Sequence, residues 1–175
     1  PYMSDKFSDV ILNITTLPFF EDRLTLPQLK ASVDQSIALE TLMLCFTDEN
    51  NDFASFRPKD KENFITFYNK KIDLEKVEVI INAINLLDKS LEENIRIPKT
   101  SISVLCYASY LVCQENKDYD IFISKVNEFL EKYDANIDYK RKILNGTNSS
   151  DSVKFRLAYW RKIVKEIPLW SAKVA

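Results

Sequence analysis

Residues 101–113 read Ser-Ile-Ser-Val-Leu-Cys-Tyr-Ala-Ser-Tyr-Leu-Val-Cys, and the reading of this stretch decides the fold. From Ile102 to Cys113 every residue is apolar or small, so a helix built from it has no solvent-facing side and belongs inside the molecule. The β-branched start would also suit a buried strand. Strands usually run to about 4–8 residues, however, and an uninterrupted run without glycine or proline favours a helix. The same run is too short for the roughly 20 residues that cross a bilayer. Pro98, Thr100 and Ser101 punctuate its start, and the expectation is a central buried helix with other helices around it.

Outward from this centre the apolar residues keep a helical period. Upstream, Val77, Ile80, Ile84, Leu87 and Leu91 share one face of a segment that opens at Asp73, a good N-cap. Before it come Phe64, Phe67 and Tyr68, then a polar stretch from Asp48 to Pro58 that reads as a loop. Leu29, Val33, Ile37 and Leu44 form a stripe on a helix starting at Pro27, and Phe7, Ile11 and Ile14 mark another, which Pro18 interrupts. Downstream, Asp118 to Tyr133 carries Phe122, Val126, Phe129 and Leu130 on one side. The last helix opens in Asn148-Ser149-Ser150-Asp151 and sets Val153, Leu157, Trp160, Val164 and Ile167 at steps of four and three. The chain is therefore predicted to be all-α: one orthogonal bundle of about seven helices around a central buried helix. It reads as a single helical domain over residues 1–175, cut from a longer polypeptide.

One glycine in 175 residues agrees with this class, because hairpin turns depend on glycine's positive φ. Three cysteines without metal-ligand spacing point to core packing for Cys106 and Cys113, and to the reducing cytosol. No basic segment followed by an apolar one opens the chain, so no secretory signal is expected.

The chain has no histidine, which removes Ser-His-Asp and Cys-His triads, His-bearing zinc sites and the usual neutral-pH general base. With Gly146 as its one glycine it holds neither a Walker A loop nor GxGxxG, since both need several glycines for backbone amides to approach phosphates. Adjacent carboxylates, Asp48 with Glu49 and Glu92 with Glu93, read as solvated surface acids. No catalytic residue, metal or cofactor is predicted for this chain.

Charge is distributed unevenly. From Asp138 onward there are nine basic residues against three acidic, a local +6, and the first 137 residues hold 15 basic against 23 acidic, or −8. At ~100° per residue, Lys154, Arg161 and Lys165 share a stripe beside the apolar seam of the last helix. Together with Lys140, Arg141, Lys142, Ser149, Ser150, Arg156 and Lys162 they are the candidate nucleic-acid-binding residues, acting through charge and free helix N-terminal amides. A solvated face, or one docked on protein, is the competing reading. Trp160 lies on the core stripe and is read as packing; Trp170 sits in an apolar tail beyond Pro168, suited to anchoring a partner.

Four segments carry a family resemblance: FSDVILNITTLPFF (7–20), ENFITFYNKKIDLEKVEVIINAINLLDKSL (62–91), IPKTSISVLCYASYLV (97–112) and SSDSVKFRLAYWRKIV (149–164). In this order they resemble the helical region of ParB-like, sulfiredoxin-fold defence proteins, the family of GmrSD-type and phosphorothioate-sensing restriction systems. In that family the chemistry belongs to an upstream ParB-like domain with a DGQQR-type motif and, in some members, to a downstream histidine-metal nuclease. Neither motif occurs here. The resemblance implies a non-catalytic helical domain supporting a nucleotide-dependent DNA-targeting domain upstream in the same polypeptide, with DNA as a further candidate partner and no membrane. It carries over no catalytic residue; only the Ser149-Ser150 cap and Arg156 match positions with a recognisable pattern. The alternative is a protein-interaction or scaffold module that does not touch nucleic acid.

Overall fold

A computed structural model describes residues 3–47, 55–144 and 146–170. The described residues form ten helices: α1 Asp5–Thr15, α2 Pro18–Arg23, α3 Leu26–Lys30, α4 Val33–Phe46, α5 Pro58–Tyr68, α6 Leu74–Ser90, α7 Lys99–Gln114, α8 Tyr119–Glu131, α9 Ile137–Leu144 and α10 Ser150–Glu166. Among them no strand occurs, and extended backbone pairs only in an isolated antiparallel bridge between Lys117 and Leu169. None of these helices is long and apolar enough to cross a membrane.

The quoted stretch is α7, and every residue from Ser101 to Tyr110 is buried. α4, α6, α8 and α10 all pack against it, and between them they cover the stretch from Ser101 to Tyr110. Each fully buried Leu, Ile or Phe side chain contributes about 1.5–3 kcal/mol relative to exposure. Its buried hydroxyl groups need partners, and Ser109 finds them: its Oγ donates to the Ala83 carbonyl in α6 at 2.8 Å and lies 2.7 Å from the Tyr119 hydroxyl in α8. Cys113 departs from the expected core role. It lies at the exposed end of α7, while Cys45 and Cys106 are buried thiols whose ionisation burial disfavours.

Three short helices explain why ten replace the expected seven. α2 follows Pro18 directly and buries Phe19 and Phe20. The helix expected from Pro27 through Leu44 is two: α3, closed at its start by a Thr25–Gln28 capping box, and α4, separated by Ser32 in the left-handed conformation at φ 57°. α9 is only eight residues long and buries Tyr139 and Ile143. Most of the Asp48 to Pro58 stretch read as a loop lies outside the described residues, with the Asp48–Glu49 pair; Pro58 itself opens α5.

Helix starts follow local chemistry. Asp73 Oδ1 accepts from the Glu75 and Lys76 amides at 3.0 and 3.2 Å, and Asp118 Oδ1 accepts from those of Asp120 and Ile121 at 3.1 and 3.2 Å. One tie is less visible in the sequence. Arg23 is buried and bonds the Glu92 and Ile95 carbonyls at 2.9 Å each and the Asp88 carboxylate at 3.1 Å, pinning α2 to the end of α6.

Candidate nucleic-acid interface

α10 divides cleanly into two faces. Val153, Leu157, Trp160, Val164 and the following Ile167 are buried, as the spacing predicts. Trp160 is fully enclosed, edge-on to Phe122 and Phe129 at 6.3 and 5.1 Å between centroids, and each such aromatic pair adds about 0.5–1.5 kcal/mol beyond burial. With the seam facing inward, Lys154, Arg161 and Lys165 are exposed along its flank, with Ala158 and Lys162 beyond them and the acids Asp151 and Glu166 exposed near the two ends of the helix. Eleven positions separate Lys154 from Lys165, or ~16 Å of helix at 1.5 Å per residue. That row spans several phosphates of a strand carrying one charge per ~3.4 Å of axis.

Other sequence candidates do not join this row. Arg156 is buried: its guanidinium donates to the carbonyls of Ser152, Thr100 and Thr147 and lies 5.6 Å over the Phe56 ring. Burial pushes its pKa down from the ordinary value, partly offset by the hydroxyl of Tyr139. It stitches the start of α10 to the start of α7 and cannot reach a phosphate outside. Ser149 is the N-cap, its Oγ accepting from the Ser152 amide at 3.3 Å, so part of the supposed amide cradle is already occupied. Ser150, like Ser149, is half-buried. Their surroundings are held by the Phe56 amide donating to the Asn148 carbonyl at 3.0 Å.

Lys140, Arg141 and Lys142 sit on α9. Arg141 and Lys142 are exposed, but Lys140 is half-buried, paired with Asp134 at 3.1 Å and 5.6 Å from the Tyr133 ring. Tyr139, between α9 and α10, packs edge-on or tilted against Phe129, Phe155 and Tyr159. Burial pushes its phenol up to about 12, a rise that the neighbouring Ser101 hydroxyl opposes.

The feature that sequence reasoning missed lies where the basic row meets the body of the molecule. Between the end of α4, α7 and the last turns of α10 is a cleft of about 600 Å³ whose lining includes Tyr107, Tyr110, Leu111, Glu115, Arg161 and Lys165. Arg161 Nε donates to the Tyr107 hydroxyl at 2.8 Å, and its guanidinium carbon lies 5.7 Å from that ring. Burial raises the Tyr107 pKa against the lowering effect of Arg161, and burial, helped by nearby Cys45, pushes Tyr110 up to about 12. Both phenols therefore stay protonated at neutral pH. Their signal in the sequence was faint: two hydroxyls three residues apart within an apolar run look like core until a neighbouring helix is placed over them.

Compared with protein-family models, curated proteins and solved structures, the chain matches none.

Proposed function

We propose that this chain is a non-catalytic helical domain that presents α10 to the phosphates of DNA, supporting a nucleotide-dependent DNA-targeting domain upstream in a ParB-like restriction or defence protein. The observation that supports it is the exposed row of Lys154, Arg161, Lys162 and Lys165 beside a fully packed seam on the same helix. Packing orients the helix, so the cations are held on one surface without further ordering, and a polyanion meeting them releases counterions. The absence of histidine and the single glycine favour chemistry supplied by another domain.

The test is a salt series with a labelled DNA duplex. Each neutralised phosphate contributes about −0.9 to the slope of log affinity against log salt, so a four-cation face gives a slope of roughly −3 to −4. Reversing Lys154, Arg161 and Lys165 to glutamate abolishes this binding while far-ultraviolet circular dichroism stays unchanged. Absence of binding even at low salt sinks the DNA-facing reading and leaves the protein-only scaffold, for which half-exposed Trp170 and the exposed Ile137 and Leu144 are the contact candidates.

A further inference from the structure

The cleft between α7 and α10 is more than the end of a charged row. Arg161 is anchored through Nε by the Tyr107 hydroxyl, which orients the guanidinium plane; its two terminal nitrogens have no hydrogen-bond acceptor among the described residues. The Tyr107 hydroxyl accepts in that bond, so its own proton remains to be donated. One turn along α10, Lys165 lines the same cleft, and Lys117 Nζ lies 3.4 Å from the Lys165 carbonyl. The one carboxylate among the described lining residues, Glu115, is drawn toward Lys117 at 4.0 Å. Three donors thus line a space beside Leu111 and Tyr110, and among the described lining residues the cations Arg161 and Lys165 outnumber the single anion Glu115.

We infer that this cleft is a phosphate seat, in which the terminal nitrogens of Arg161 grip two phosphate oxygens while Lys165 and the Tyr107 hydroxyl bond the others. A planar fork of donors matches two oxygens of one phosphate, which a lysine in the same place does not. This inference rests on the reading of α10 as a phosphate-facing helix and identifies where on it a single phosphate is gripped rather than merely attracted. Glu115 is the antagonist of the seat: its charge lowers anion affinity, and its removal strengthens binding. The phosphate comes from the DNA backbone or from a free phosphate compound, and the two sources separate experimentally.

The full chain is titrated at low ionic strength with labelled duplex DNA and, separately, with inorganic phosphate, while the Arg161 Nε–H resonance is followed by NMR. Seating predicts a saturable shift of that resonance. Arg161→Lys weakens binding about tenfold, as loss of a bidentate charge-assisted contact does, and Tyr107→Phe weakens it several-fold. Glu115→Gln tightens it, a gain that unfolding cannot mimic; thermal midpoints identify any variant that loses affinity by losing structure. If DNA binds with the expected salt slope but Arg161→Lys, Tyr107→Phe and Glu115→Gln behave as the parent, the seat is overturned and the basic face stands. If DNA fails to bind while inorganic phosphate shifts the resonance in a Tyr107-dependent way, the seat stands for free phosphates and the DNA reading falls. If DNA does not bind and inorganic phosphate leaves the resonance unmoved, both fall.

Discussion

Arg156 shows how much a single residue's role depends on what lies above it. From the sequence it is one cation among nine in a basic segment; in the fold its guanidinium is enclosed by three carbonyls and the Phe56 ring. Arg156→Met removes those donors and leaves buried carbonyls unsatisfied, a loss of about 2–4 kcal/mol by urea unfolding, since each stranded group costs about 1–3 kcal/mol. The same variant leaves the salt slope of DNA binding unchanged, whereas Lys162→Gln reduces it by about one. A parallel drop in slope for Arg156→Met would contradict its structural assignment. Arg161, five positions on, differs because its side chain emerges beside Tyr107 instead of beneath a loop.

At the scale of an element, caps and seams were legible and breaks were not. Asp73, Asp118 and Ser149 all begin helices with side-chain bonds to backbone amides, an outcome their short polar chains favour locally. Ser149→Ala lowers stability by about 1 kcal/mol through loss of the cap on α10, read as a shift in urea midpoint with unchanged m-value. The break at Ser32 was invisible because Leu29, Val33 and Ile37 keep a helical spacing across it; the left-handed turn there redirects the chain into α4, which packs against α1, α3 and α7. Short α9 likewise escaped notice. Its eight residues carry two buried side chains, too few for a periodic signal, and its place depends on aromatic contacts with α8 and α10.

Across the whole molecule, α7 ties the bundle into one cooperative unit, since α4, α6, α8 and α10 each bury a face against it. Leu105→Ala, at a fully buried position, costs about 2–5 kcal/mol. Unfolding followed by far-ultraviolet and near-ultraviolet circular dichroism should still coincide in a single transition, because no neighbouring helix retains its cover once α7 loosens. Separate transitions would contradict that coupling. What the amino-acid sequence determined unaided was class and the apolar inside: hydrophobic period and near-absence of glycine are local properties, and they specify helices and the faces those helices bury. Only tertiary structure decided which cations are free of the core and which phenol meets which guanidinium. Arg156 and Arg161 carry identical charge, and burial, carbonyl partners and the approach of Tyr107 are set by residues distant in the chain.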